Sequence, residues 1–159
     1  MIRTKFSTPI DQRYFEDYVE GDVHEFGHIE VLESEMLSFA ERFDPQPFHT
    51  DAKAAGKSIY GGLIASGWHS ASLMMRLFVD HYLTHNASLG SPGVDELRWL
   101  KPVRPGNSIS LKVTVSKTNR SRSKPDRGIV HSYVEALNQD GEVVMTMKAL
   151  NFISLRNKD

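Results

Sequence analysis

The sequence predicts an α+β domain in which an antiparallel sheet wraps one long, largely buried helix. Three observations carry that expectation. The second half of the chain alternates apolar and polar residues with period two, the strand signature. Residues 62–83 carry an apolar arc too wide for a surface helix. The chain has 159 residues with no repeat, linker or low-complexity tract, which fits one domain over 1–159 with its core at about 14–153.

The elements follow in order. Val23 to Leu32 reads as a strand, and Ser34 to Arg42 as a short helix with Ser34 as its N-cap. Residues 43–51 hold Pro45 and Pro47, each of which removes a backbone donor and fixes φ, so an ordered loop is expected there. A short helix from Asp51 to Ala55 precedes the long one, Gly62 to Leu83. In the long helix Ser66, Ser70, Arg76 and Asp80 form a narrow polar strip. Val94 to Leu100 is a strand ended by the Pro102–Gly106 segment. Ile109, Leu111, Val113 and Val115 alternate with polar partners, Gly128 to Leu137 is rich in β-formers, and Asn138-Gln139-Asp140-Gly141 turns the chain into Val143 to Ser154. These four strands are expected to form a meander with one face needing cover, which the helix supplies.

Composition removes several functions. The chain is 40% hydrophobic and 25% charged with a net charge of −1, which argues against nucleic acid as a partner. It has no cysteine, so disulfides, thiolate catalysis and zinc–sulfur sites are excluded. No stretch reaches the ~18 apolar residues of a membrane span, and the N-terminal residues lack the apolar core of a signal peptide. A cytoplasmic location is the default expectation. His24 and His28 have i,i+4 spacing but fall in an expected strand, so no metal site is expected.

Chemistry concentrates in residues 43–51, Phe-Asp-Pro-Gln-Pro-Phe-His-Thr-Asp. A stiff loop can turn Asp44 and His49 into one pocket, and functional groups often sit on loops held by a rigid scaffold. The plain structural reading is that Asp44-Pro45 opens a turn and His49-Thr50-Asp51 caps the next helix. Lys117, Arg120, Arg122, Lys124 and Arg127 cluster in one inter-strand loop, opposed only by Asp126. That loop is either a contact for anionic phosphates or a solvated hairpin tip. His69 is expected in the core or at an interface.

The segment Asp44-Pro45-Gln46-Pro47-Phe48-His49 resembles the Asp-x-Asn-Pro-x-His signature of the MaoC-like dehydratases, which include the (R)-specific enoyl-CoA hydratases. Leu63-Ile64-Ala65-Ser66-Gly67-Trp68 resembles the family's glycine at the start of the long helix. The resemblance covers roughly residues 14 to 153. It implies a hot-dog fold and a hydro-lyase of enoyl or 3-hydroxyacyl thioesters, with Asp44 and His49 as the acid–base pair and the Gly67 amide facing the thioester oxygen. It implies no cofactor beyond the coenzyme A or acyl carrier protein that bears the substrate. Arg120, Arg122 and Lys124 are then the candidates for the carrier's phosphates, with Lys101 and Arg104 as the alternative. Two departures stand out: Gln46 replaces the signature Asn, and Met75 stands where some hydratases place a serine. A hot-dog thioesterase and a non-catalytic relative are the competing functions. An open sheet edge and a partly uncovered helix predict at least a homodimer.

Overall fold

The computed structural model describes residues 5–158, so the outermost residues of the expected 1–159 domain lie outside the described ones. After a 3₁₀ turn at Phe15–Asp17 the chain runs β1 (Val23–Glu30), α1 (Glu33–Phe43), α2 (Pro47–Thr50), α3 (Ala52–Gly56) and α4 (Gly67–His81). It continues with β2 (Gly93–Trp99), β3 (Ser108–Arg120), β4 (Arg127–Leu137) and β5 (Val143–Ser154). The five strands form one antiparallel sheet in the order β1-β3-β4-β5-β2.

The alternating residues behave as their pattern requires. Ile109, Leu111, Val113 and Val115 of β3 are all buried and pack with Val130 and Val134 of β4 and Ala149 and Ile153 of β5. Against this face lie Leu73, Met74, Leu77 and Phe78 of α4, so the sheet wraps the helix as expected. Beyond the end of α4, Arg13 donates to the carbonyls of His81 and Tyr82, satisfying acceptors that a helix end leaves open.

Four expectations are corrected. The meander comprises β3, β4 and β5 only; β2 pairs with β5 on the far side, because β1 already occupies the free edge of β3. The long helix starts at Gly67 rather than Gly62, because the backbone just before it is engaged elsewhere: Ile64 N–H donates to Phe48 O and Ala65 N–H to Val103 O. In α1, Leu32 rather than Ser34 occupies the N-cap position, and no side chain caps it. The expected polar strip of α4 is also wrong. Ser66 and Ser70 are buried, while Trp68, Met75 and Val79 are exposed beside Ser72, Arg76 and Asp80.

Candidate active site

The segment expected to be a loop contains one helical turn. Pro47 sits in the first turn of α2, where a missing N–H costs nothing and a fixed φ favours helix entry. Asp44 is the C-cap of α1 and His49 lies in α2, so the Pro45-Gln46 link sets the angle between them. Asp51 does what its plain reading foresaw: its Oδ1 accepts from the N–H groups of Lys53 and Ala54 at the start of α3.

The two predicted residues meet. His49 Nε2 stands 3.2 Å from Asp44 Oδ2, with the His49 side chain 6% exposed and that of Asp44 19%. The other ring nitrogen, Nδ1, lies 2.7 Å from the Ile64 carbonyl. A carbonyl only accepts, so Nδ1 carries the hydrogen and Nε2 of the neutral ring is the basic nitrogen. Asp44 is held from two further directions. Gln46 Nε2 donates to its Oδ1 at 2.7 Å and Ser66 Oγ donates to its Oδ2 at 2.7 Å. Partial burial alone would raise the Asp44 carboxyl. The bonds from Gln46 and Ser66, and the positive charge that His49 carries when protonated, outweigh that and hold it below its ordinary value.

A cavity of about 510 Å³ opens over this pair. Its walls are Phe48, Tyr60, Ile64, Ala65 and Val103 on the apolar side, with Trp68 from the start of α4 and Trp99 from the end of β2. Gly67 lines it too, for a reason the sequence did not reveal. A Cβ at Gly67 would fall 2.7 Å from Cδ2 and Nε1 of Trp99, and Trp99 Nε1 donates to the Gly67 carbonyl at 2.9 Å. The glycine is required by the indole packed on it. Trp68 meets the same indole edge-on, with ring centroids 5.2 Å apart. Ser66 precedes α4 as its N-cap yet makes no capping bond, so it leaves the first N–H groups of the helix, which no intrahelical carbonyl reaches, without its hydroxyl.

Other expected residues lie elsewhere. Trp99 pairs with Met145 at one end of β5, whereas Arg120 and Gly128 align with Ile153 at the other. Eight residues of strand separate them, roughly 26 Å. Arg120, Arg122 and Lys124 are therefore remote from Asp44 and His49 within one chain, Arg120 lying 4.0 Å from Glu16. Lys101 lines the cavity and pairs with Glu142. Arg104 braces the wall by donating to the Tyr60 carbonyl at 2.5 Å. Met75 is exposed and away from the cavity. His69 is buried against Phe39 of α1, as expected for a core residue. Sequence reasoning passed over Ser66, Tyr60 and Trp99. A serine directly before the glycine was the available signal for the first.

Similarity to known proteins agrees with this geometry. Residues 15–152 match the family model for the MaoC like domain. The crystal structure of the MaoC-like dehydratase from Rhodospirillum rubrum is 39% identical, with a TM-score of 0.84 over 91% of this chain and 99% of that one. The uncharacterized protein YdeM of Bacillus subtilis is 24% identical over 139 residues, 84% of this chain and 97% of YdeM. The (R)-hydratase PhaJ1 from Pseudomonas aeruginosa, 21% identical with a TM-score of 0.71 over 91% of this chain and 86% of that one, shares the fold. With the sheet wrapped around α4 and the Asp44–His49 pair at its N-terminus, the chain belongs to the MaoC-like dehydratase family and has its hot-dog fold.

Proposed function

We propose that this protein adds water to an enoyl thioester, or removes it from a 3-hydroxyacyl thioester, on one face of the substrate. The observation that carries the reading is the convergence of an ionised carboxylate and a basic imidazole nitrogen, 3.2 Å apart, on the wall of an apolar cavity. A water in the cavity beside the pair reaches both. Its oxygen attacks Cβ while Nε2 of His49 takes one proton and Asp44 accepts the other hydrogen bond. The proton held by the imidazolium is then the one Cα receives, which balances the reaction and keeps both additions on one face. Such acid–base work is worth about 10²–10⁴-fold. The negative charge that grows on the thioester oxygen is met by the Gly67 amide at the helix N-terminus.

The substrate is carried on coenzyme A or an acyl carrier protein, and the working unit is a homodimer joined through β2. That edge strand is exposed along almost its whole length, and at its end Trp99 meets the exposed Trp68 of α4. The opposite edge, β1, is blunted by Glu25, His28 and Glu30. Antiparallel pairing of two β2 edges sets Gly93 of the partner subunit beside Trp99. The partner's β3–β4 tip then comes to the same end as this site, so Arg120, Arg122 and Lys124 serve the neighbouring subunit's carrier.

The test is turnover of crotonyl-CoA, followed as loss of enoyl absorbance, with thiol release from acetyl-CoA as the contrast. Asp44→Asn and His49→Ala are each expected to lower hydration about 10²-fold or more. The double variant should lose little beyond either single change, because both groups serve one water. Thiol release without hydration would make the protein a thioesterase. Losses that multiply would refute the shared water.

A further inference from the structure

Ser66 stands at the N-cap of α4, the position where a serine ordinarily turns its hydroxyl onto the helix N–H groups. Here it makes no such bond. The residue is fully buried, and its hydroxyl hydrogen points instead at Asp44 Oδ2, the oxygen that also faces His49 Nε2. A free N-cap bond has been forgone for a contact spanning 22 residues of sequence. Forming it requires the strap before α4 to lie against the end of α1, which the Ile64 and Ala65 backbone bonds arrange.

We infer that Ser66 is a positioning residue for the acid–base pair: its hydroxyl fixes the rotamer of Asp44 and keeps that carboxylate ionised opposite His49. This rests on the proposed hydratase reading only for its effect on rate. The physical argument is local. A hydroxyl donating to a carboxylate stabilises the charged form and not the neutral one, so its removal favours protonation. It also leaves Oδ2 with His49 as its one remaining polar neighbour. The ionisable groups around Asp44 are few. His49 approaches from α2, Tyr60 lines the cavity wall, and Lys101 enters from the segment after β2 already paired with Glu142. On α1 itself Arg42 is turned onto the Phe43 ring. On α4 the titratable neighbour is His69, whose ring lies against Phe39 of α1, so the contact from α4 to the Asp44 carboxylate is the Ser66 hydroxyl.

The experiment compares Ser66→Ala with the parent in two readouts. The first is the carboxyl carbon resonance of Asp44 followed against pH by NMR, assigned through Asp44→Asn. Loss of one charge-assisted hydrogen bond should move its titration upward by about one pH unit. The second is turnover of crotonyl-CoA. At neutral pH kcat should be about 10-fold lower, with KM little changed. Ser72→Ala is the control, since that hydroxyl only returns to the Trp68 carbonyl of its own helix, and it should move neither. An Asp44 titration that stays in place in a folded Ser66→Ala protein overturns the inference whether or not the protein proves to be a hydratase. A kcat that stays at the parental value in a folded Ser66→Ala protein overturns it too. If Ser66→Ala does not fold, Ser66→Thr decides: it keeps the hydroxyl, and an Asp44 titration raised to the range of a free aspartate overturns the role.

Discussion

Replacing Gly67 with alanine adds a single methyl group at the point where helix, sheet edge and cavity meet. The methyl would lie 2.7 Å from two atoms of the Trp99 ring and closer still to Cε2. Ordinary carbon contacts begin near 3.5 Å, so the indole must retreat by roughly 1 Å. Overpacking of that kind costs about 1–3 kcal/mol. Retreat also stretches the 2.9 Å bond from Trp99 Nε1 to the Gly67 carbonyl, worth about 1 kcal/mol. Against this, alanine in place of glycine favours a helix by about 0.5–1 kcal/mol. The net loss is about 2 kcal/mol, or about 4–8 °C in Tm for a chain of this size. Thermal unfolding by circular dichroism measures it, and tryptophan emission reports the movement directly, because Trp68 and Trp99 are the only two indoles. The decisive measurement is a double-mutant cycle with Trp99→Leu, which makes room for the methyl. Gly67→Ala should then cost at least 1 kcal/mol less than in the parent. A Gly67→Ala protein with parental Tm and emission, or a cycle in which the two losses simply add, would refute the assignment of this glycine to the indole.

Two further outcomes follow from the same geometry. Changing Arg120, Arg122 and Lys124 together to alanine should raise KM for a coenzyme A substrate several-fold and leave kcat unchanged, since phosphate contacts far from the reacting carbons act equally in ground and transition states. The parent's KM should climb with salt as exposed charges are screened over a Debye length of ~8 Å at 0.15 M, and the variant's should not. Indifference to both changes would leave the tip a solvated hairpin. The second outcome concerns His69, whose Nε2 is buried without a hydrogen-bond partner among the described residues and whose basicity is lowered by burial. With the folded value below the unfolded one, the unfolded chain takes up a proton first as pH falls below about 6.5, so stability drops with falling pH in that window. Urea titrations at several pH values should show His69→Phe flattening this slope by at most about 1.4 kcal/mol per pH unit. An unchanged slope would place the acid sensitivity elsewhere.

What could be read from the sequence tracks how local its cause was. Period-two burial in Ile109 to Val115 and the Asn138–Gly141 turn are short-range properties; β4 and β5 formed within a residue or two of their expected limits, whereas β3 runs on to Arg120, so Lys117 and Arg120 lie in the strand and not in the expected loop. The Asp44–His49 pair was legible through the resemblance of residues 44–49 to a family signature, since the two prolines by themselves fit a plain turn equally well; the single helical turn of α2 was hidden by reading Pro47 as a breaker rather than a first-turn residue. Partners distant in sequence were not legible. Nothing near β2 says that it joins β5 rather than β3, because that choice is made by β1 seventy residues earlier. Ser66 and Ser70 look like a solvent strip on a helical wheel. They are buried because the cavity and Asp44 lie on that side, while the true outer strip holds the apolar Trp68, Met75 and Val79 and so resembles core.

The strap from 61 to 66 explains why the site is assembled at this point of the fold. Its Ile64 N–H donates to Phe48 O while its Ile64 carbonyl accepts from His49 Nδ1, so one residue fixes both the backbone and the ring of the α2 turn. Ala65 N–H ties the strap to Val103 beyond β2, and Ser66 reaches Asp44 at the end of α1. The next residue is Gly67, the first of α4. The groups that hold the carboxylate, set the imidazole tautomer and begin the helix are thus consecutive in one extended segment. In the proposed hydration, proton transfer needs Asp44 and His49 registered against Cα and Cβ, and charge stabilisation needs the helix N-terminus registered against the thioester oxygen. Since a displacement of about 1 Å can cost 10²-fold in rate, building both registers from one short strap removes the relative motion that would separate them.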